Sequence, residues 1–286
     1  MMREIRLAVS HPEERDLNAI PSRLHGCALA ASLNDCEAVM HVGWPGPEAI
    51  ERSLAAGTHV LVADPCPARE SVETLFDSAR KAGMQFCVVN PDRYLASRQL
   101  IRKQLSGPLG EPGLLRLHRW EPTSTHPTDL PAAILRDLDL SLWLMDRRPD
   151  RVFAIEQKHP DSAGRCVQVH LGFPGGGMAL LDFNNRLPAG DGYQSLSVIA
   201  ASGAAYADDH QNMQLVYRGG SPEAARTEER SGQLAAIAQE FVDSLRGNRD
   251  LMTTNAAGWR NVSAVADAVK QSLASGQSVA VPQEDR

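Results

Sequence analysis

The sequence predicts two domains: an α/β domain with a doubly wound parallel sheet, then an α+β domain with an open-faced, mainly antiparallel sheet. In the first third of the 286 residues, short apolar runs alternate with stretches of helical periodicity. After about residue 146, strand patterns joined by Gly, Pro and Asp turns dominate. Two amphipathic stretches near the end of the chain add helices to the second domain. We place the domains at residues 1–113 and 114–286.

The first domain contains five apolar runs of the kind that buried parallel strands make. Between the later runs, two stretches carry apolar residues at helical spacing, and Gly57 and Gly83 stand where helix C-caps are expected. Strands that alternate with helices require right-handed crossovers, which produce a doubly wound sheet. The strands are expected at 4–10, 26–32, 37–43, 58–64 and 84–90, and the helices at 46–57 and 68–83.

Glycine and proline are concentrated in residues 105–120, which we interpret as the passage between the domains, with a plain surface turn as the alternative. A helix over 134–146 follows, because its leucines share one face. Amphipathic helices are also expected around Leu234–Leu245 and Val262–Leu273. The strands of the second sheet are expected at 151–159, 166–173, 177–186, 193–202 and 212–220.

Composition and charge exclude several classes of partner. The chain has 29 basic and 35 acidic residues, a net charge of −6, and no cationic run for a phosphate backbone, so we expect no nucleic acid. No apolar stretch approaches the roughly 20 residues of a membrane span. The N-terminus lacks the apolar core of a signal peptide, which predicts a cytoplasmic protein. Five cysteines without a C-x-x-C pair indicate reduced thiols and no zinc site.

Six short motifs follow one another along the chain. They are AAGTHVLVADP (55–65), GPLGEP (107–112), AAILRDLDLSLWLMD (132–146), VIAASGAAY (198–206), FVDSLRGN (241–248) and ASGQSVAV (274–281). In these motifs and in their order the chain resembles the Gfo/Idh/MocA family of NAD(P)-dependent sugar and polyol oxidoreductases, whose members include glucose-fructose oxidoreductase and inositol dehydrogenase.

The resemblance implies a Rossmann domain, a substrate domain whose sheet makes oligomer contacts, and a small-molecule ligand in the cleft between the domains. It also implies a Lys, an Asp and a His that transfer protons beside the nicotinamide. In this sequence those positions hold Asp64, Ala132 and Arg136. An arginine does not accept a proton near neutral pH, and Asp64 places negative charge where an alkoxide would form. We therefore assign no catalytic residue.

The nucleotide-binding motif of that family is also absent. The predicted first strand continues into SHPEER (10–15), which contains no glycine and carries two glutamates that would repel phosphate. No acidic residue for a ribose follows the second strand before Asp35. The family normally places a helix, a strand and another helix where this chain has residues 33–36, so we expect a shortened sheet. These losses predict no cofactor, or NAD or NADP if the chain is an active oxidoreductase.

Five residues remain as candidates for a ligand-binding cleft, each with a structural alternative. Trp44 would either stack on a ring or pack between elements, and Arg93 and Tyr94 would either line the cleft or face solvent. Arg136 would bind an anion or pair with Asp137 on a helix surface. Asp64 is the fifth candidate residue. A nucleophilic role for Cys66 and a metal site at residues 208–210 are weaker alternatives, and we predict no metal.

Two functions follow from this sequence. The first is a binding or oligomeric scaffold module of Gfo/Idh/MocA type that has lost hydride transfer and forms a homo-oligomer through its C-terminal sheet. The second is a divergent oxidoreductase, or a lyase, that acts on a sugar, polyol or related small molecule with a rearranged site. The chain lacks the glycine motif, the acidic residue that would bind the ribose and the proton-transfer residues. Their joint loss favours the first function.

Overall fold

A computed structural model describes residues 4–10, 24–64, 69–122, 130–158, 164–188, 192–208, 213–217, 223–226, 232–247 and 256–282. The chain divides into two compact units. Unit 1 comprises Met1–Leu95 and Glu229–Arg260, and unit 2 comprises Ala96–Glu228 and Asn261–Arg286. We expected a single boundary at residue 113, whereas the C-terminal helices are shared between the two units.

Unit 1 is built on a five-stranded parallel sheet in the order β2-β1-β3-β4-β5. The fold class and the shortened sheet expected from the sequence are thereby confirmed. Two helices, α1 (Pro47–Ala55) and α2 (Arg69–Ala82), connect the later strands. The strands are β1 (Ile5–Ser10), β2 (Cys27–Leu29), β3 (Ala38–Val42), β4 (His59–Ala63) and β5 (Phe86–Val88).

Both faces of this sheet are buried, which explains why its strands are continuous apolar runs. On one face, α5 (Gln233–Leu245) packs Ile237 and Phe241 against Leu7, Met40 and Leu61. The alternate residues of the strands point to the other face, where α1 and α2 pack together. The packing of α5 on this sheet is the reason that a C-terminal segment belongs to unit 1.

Unit 2 contains a nine-stranded, mainly antiparallel sheet in the order β13-β12-β11-β10-β6-β9-β8-β7-β14. Its long central strand is β6 (Pro112–Pro122), which pairs antiparallel with β10 and parallel with β9. The other strands are β7 (Arg151–Lys158), β8 (Arg165–Gly172), β9 (Met178–Leu187), β10 (Tyr193–Ala200), β11 (Gly203–Asp208), β12 (Met213–Tyr217), β13 (Glu223–Arg226) and β14 (Val279–Ala280).

The interpretation of residues 105–120 as an interdomain passage is wrong, because residues 112–120 belong to β6 at the centre of the sheet. Glycine and proline precede the strand and obscure its alternation of buried Leu115 and Leu117 with outward residues. A helix that the sequence analysis did not identify, α3 (Ala96–Leu105), precedes it, with buried Ile101 and Leu105 on one face.

One face of the nine-stranded sheet is covered and the other is open. Helix α4 (Ala132–Met145) packs on β6 and β9 and covers the face that carries Leu115 and Leu117. The opposite side of β6, which carries Arg116, His118 and Trp120, is called the open face below. The last helix, α6 (Ala256–Ser275), crosses from unit 1 into unit 2. Among the described residues, no helix has the length and apolar character needed to cross a bilayer.

Candidate functional site

The parallel sheet of unit 1 has a topological switch point at its carboxyl edge. Strand β2 lies on one side of β1 and β3 on the other. The connection that follows β1 and the connection that follows β3 therefore run in opposite directions. In open α/β sheets, ligands bind outside the carboxyl ends of the strands at such a point. Ser10 and His41 are paired there, near the ends of β1 and β3. This edge is therefore the candidate functional site of unit 1.

The loop after β3 leaves space at this edge. Gly43 and Gly46 both have φ of +90°, a conformation that favours glycine. A Cβ placed on Gly43 would meet no atom within 4 Å, so a ligand can approach the backbone closely at the end of β3. Trp44 lies between the two glycines and is half-buried. The loop thus combines accessible backbone with one aromatic ring.

Asp64 follows β4 directly and is half-buried. The family resemblance places a lysine here, so the carboxylate reverses the charge at this strand end. A carboxylate accepts hydrogen bonds and protons, whereas a lysine ammonium only donates. The segment with Cys66, residues 65–68, and most of the suggested 208–210 metal site lie outside the described residues. Within the described residues, no group of metal-ligating side chains is present.

The segment after β5 is anchored to α5. Asn90 accepts a hydrogen bond from the Asp92 amide at 3.1 Å and caps a short 3-10 helix, Pro91–Tyr94. The Tyr94 hydroxyl donates to Glu240 Oε2 at 2.9 Å, and its ring packs against the core beneath α5. Burial and, second, the negative charge of Glu240 raise the pKa of Tyr94 far above its ordinary value. Tyr94 therefore stays protonated, and Arg93 beside it is half-buried.

His41 is a buried polar residue in β3 that the sequence analysis did not select. Its side chain is 5% exposed, and its Nε2 has no hydrogen-bond partner among the residues that the structure describes. Burial lowers the pKa of His41 below its ordinary value, which keeps the ring neutral. The signal in the sequence was a histidine inside an otherwise apolar strand.

In unit 2, the two remaining family positions lie near the start of α4. Ala132 is the exposed first residue of the helix, and Arg136 is half-buried one turn later. Asp137 is buried and accepts hydrogen bonds from Arg119 of β6, with Nη2 of Arg119 2.7 Å from Oδ1. The sequence led us to expect a pair between Arg136 and Asp137 on the helix surface. The burial of Asp137 does not fit that expectation.

The candidate residues thus fall into two groups. Trp44, Asp64, Arg93 and Tyr94 all follow strands at the carboxyl edge of the unit 1 sheet, as the sequence analysis expected. Arg136 belongs to unit 2. Of the five, only Asp64 is able to accept a proton near neutral pH, because Tyr94 stays protonated and the arginines stay charged.

No protein-family model matches the sequence, and no curated protein sequence matches it. Solved structures match over nearly the whole chain. An oxidoreductase from Agrobacterium radiobacter in complex with NAD⁺, L-tartaric acid and magnesium is 14% identical, with a TM-score of 0.79, over 97% of this chain and 98% of that one. The aldose-aldose oxidoreductase from Caulobacter crescentus, complexed with glycerol, is 15% identical, with a TM-score of 0.79, over 97% and 100%.

A third structure is UDP-N-acetylglucosamine 3-dehydrogenase from Acidithiobacillus ferrooxidans, 20% identical with a TM-score of 0.76 over 95% of this chain and 98% of that one. The structural neighbours are oxidoreductases of Gfo/Idh/MocA type, and this chain has their two-domain fold. The resemblance read from the six motifs is confirmed at the level of the fold.

The prediction of no cofactor is wrong. A structural neighbour that shares this fold along nearly its entire length is crystallised with NAD⁺. The prediction depended on the missing glycine motif, whereas the carboxyl edge and its switch point are present in the parallel sheet. After β2, Asp35 and Glu37 both pair with Arg6, and Asp35 is largely exposed.

Proposed function

We propose that this protein is an oxidoreductase that holds a nicotinamide nucleotide at the carboxyl edge of the unit 1 sheet and acts on a sugar, polyol or related small molecule. One observation carries the proposal: the switch point between β1 and β3 is preserved, with open backbone beside it. The fold shared with an NAD⁺ complex supports it.

The residues of this chain have separable roles in the proposal. Gly43 and Gly46 allow the backbone to approach the ligand, and Trp44 offers a ring for stacking. The nucleotide, when bound, supplies the hydride acceptor or donor. Asp64 takes the proton of the substrate hydroxyl, because among Trp44, Asp64, Arg93 and Tyr94 only its carboxylate accepts one. The segment Pro91–Tyr94 is held in place by Glu240 through Tyr94.

Calorimetric titration with NAD⁺, NADH, NADP⁺ and NADPH tests the nucleotide. We expect saturable binding of at least one of them in the micromolar range, weakened by Gly43→Val, which fills the open space. Gly57→Val is the matched control, because Gly57 also has a positive φ and open space but lies at the opposite end of β4. No binding of any of the four at millimolar concentration would refute the proposal.

Turnover tests the role of Asp64. With the preferred nucleotide and a panel of sugars and polyols, Asp64→Asn should keep nucleotide binding and lose about 10²-fold or more in kcat. Asp77→Asn, an exposed helix position, should leave both unchanged. A variant Asp64→Asn with full activity would exclude Asp64 as the proton acceptor.

A second candidate is a binding or scaffold module without hydride transfer. This candidate is favoured because Asp64, Ala132 and Arg136 stand where the family resemblance implies a lysine, an aspartate and a histidine. Nucleotide binding without any reduction or oxidation across the panel would support this candidate over the first.

We also propose that the protein is a homo-oligomer through the nine-stranded sheet. Large apolar side chains are exposed on the open face, among them Ile155, Met178 and Ile199. Exposed apolar surface of this kind is typical of protein contacts. Light scattering after size exclusion should give a mass above the 31.0 kDa of the monomer, and Ile155→Asp with Ile199→Asp should reduce it. A monomeric mass at all concentrations would refute this.

A further inference from the structure

We propose that the nucleotide is anchored through its nicotinamide mononucleotide half, with the 5′-phosphate of that half at the N-terminus of α1 beside His41. The inference rests on the proposed function and specifies which part of the nucleotide unit 1 holds. The site comprises the loop at residues 43–46, the first turn of α1 and the buried ring of His41. The adenosine half receives no charged anchor from the residues that directly follow β2.

The first turn of α1 presents backbone amides at the carboxyl edge of the sheet. Its N-cap is Gly46, which has no side chain that could accept from these amides. Pro47 has no N–H, and the amide of Ile50 is bonded back to the Gly46 oxygen at 3.4 Å. The amides of Glu48 and Ala49 have no acceptor within the helix, and the helix dipole favours an anion beside them.

His41 provides an independent observation at the same place. Its ring is almost fully buried, and Nε2 has no hydrogen-bond partner in the described part of the chain. The preceding residue, Met40, packs against α5, so by alternation His41 points to the other face of the sheet, where α1 and α2 pack. Only four residues separate His41 from Gly46, so the first turn of α1 begins over the end of β3 where this ring lies.

A phosphate satisfies both the helix amides and His41. Buried polar groups in proteins are almost always hydrogen-bonded, and one without a partner indicates a missing ligand, ion or water. Burial lowers the pKa of His41, which keeps its ring neutral. With its proton on Nε2, the neutral ring donates one hydrogen bond, as each of the two amides does. Three donors suit a ligand group with several acceptor oxygens, which a phosphate has.

The loop between β3 and α1 identifies which phosphate of the nucleotide lies there. Trp44 in this loop offers a ring on which the nicotinamide stacks, and the backbone at Gly43 is open beside it. In a nicotinamide nucleotide, a single ribose separates the nicotinamide ring from its 5′-phosphate. The ring and this phosphate are therefore close enough to contact one short loop and the helix that follows it.

The residues after β2 do not provide a comparable anchor for the adenosine half. In doubly wound sheets an acidic residue after the second strand binds the adenosine ribose, and an arginine there accommodates a 2′-phosphate. Here β2 is followed by residues 30–32, two alanines and a serine, which carry no charge. The next carboxylates, Asp35 and Glu37, pair with Arg6 and precede the amino end of β3. NAD⁺ and NADP⁺ should therefore bind with similar affinity.

Calorimetric titration of the whole protein with NAD⁺, NADP⁺, nicotinamide mononucleotide, nicotinamide riboside and AMP tests the inference. We expect the mononucleotide to bind within about tenfold of NAD⁺, and NADP⁺ within about threefold of NAD⁺. Nicotinamide riboside, which lacks the phosphate, should bind about tenfold or more weakly than the mononucleotide. AMP, which carries only the adenosine half, should also bind about tenfold or more weakly than the mononucleotide.

Variants at the site separate the contributions of the ring and the helix. His41→Leu should weaken binding of the mononucleotide about tenfold, and His41→Gln, which keeps an N–H donor, should retain part of the affinity. His59→Gln, at the amino end of β4, is the matched control. Glu48→Gln should strengthen binding about threefold, because it removes a carboxylate from the first turn, whereas Glu51→Gln, exposed in the next turn, should change it less.

Several results would overturn the inference. AMP that binds as tightly as the mononucleotide, or a preference of more than about tenfold between NAD⁺ and NADP⁺, would place the anchor on the adenosine half. Equal binding of the mononucleotide and the riboside would exclude the phosphate site, and this comparison decides even where His41→Leu does not fold. Binding of NAD⁺ without the mononucleotide overturns this inference alone, whereas failure of every nucleotide to bind also refutes the proposed function.

Discussion

Arg119 and Asp137 form a buried ion pair that joins β6 to α4. Nε of Arg119 lies 3.0 Å from both carboxylate oxygens of Asp137, and Nη2 lies 2.7 Å from Oδ1. Both side chains are almost fully buried, at 4% and 3% exposed. The pair holds α4 against β6. Because Asp137 is the next residue after Arg136, the pair also fixes the position of Arg136 relative to β6.

Asp137→Asn should destabilise the protein strongly, because it removes the carboxylate nearest to the buried charge of Arg119; Glu121, with Oε1 3.9 Å from Nη1, is a more distant and partly exposed partner. Breaking a buried pair in this way costs about 3–5 kcal/mol. Urea unfolding measures the change. Asp77→Asn, which removes an exposed pair with Arg80, should change the free energy of unfolding by less than about 1 kcal/mol. Equal losses in the two variants would show that the Arg119–Asp137 pair does not stabilise the fold.

Gly203→Ala should also destabilise unit 2. A Cβ at Gly203 would lie 2.0 Å from the backbone oxygen of Tyr217 and 3.0 Å from Cδ2 of Leu109, so β11 and β12 would have to separate. Overpacking of this kind costs about 1–3 kcal/mol. Gly113→Ala is the control, since its Cβ would meet only Ile199 O at 3.7 Å. Thermal unfolding that ranks Gly113→Ala as the more damaging change would contradict this account.

Stability should fall at acidic pH partly through His41. Its pKa is lowered by burial from the ordinary 6.5, so the folded protein resists protonation while the unfolded chain takes up a proton. The free energy of unfolding therefore decreases as pH falls below about 6.5, until the lower folded pKa is reached. His41→Leu should reduce this decrease between pH 7.5 and 5.5 in urea titrations.

His59 provides the comparison for His41. Burial also lowers the pKa of His59, but its Nδ1 accepts a hydrogen bond from the Gln85 amide at 2.9 Å. His59→Leu should therefore both flatten the pH dependence and lower stability at pH 7.5, through loss of this bond. If His41→Leu retains the full acid sensitivity of the wild type, burial of His41 is not its source.

Tyr94 should not ionise in the folded protein at alkaline pH. Its pKa is raised by burial and by Glu240, to which its hydroxyl donates. An ultraviolet titration up to the onset of unfolding should therefore have the same amplitude in Tyr94→Phe as in the wild type. The variant should lose about 1 kcal/mol of stability with the hydrogen bond. A smaller titration amplitude in Tyr94→Phe would mean that Tyr94 ionises while folded.

The candidate site was predictable in part. The carboxyl edge could be located from the sequence, because the strands end where apolar runs give way to Trp44, Asp64 and Arg93. The roles of the residues could not, because they depend on partners far along the chain. Tyr94 is held by Glu240, 146 positions away, and no local pattern connects the two. His41 could not be selected from the sequence, because the burial of its ring without a hydrogen-bond partner in the described part of the chain is visible only in the packed sheet.

The sequence by itself determined the alternation of strands and helices, because periodicity and helix caps are local properties of the chain. Only the tertiary structure decided that β6 lies at the centre of the second sheet and that α5 covers one face of the first. These depend on pairing and packing between distant segments, which are selected by the burial of apolar surface over the entire fold.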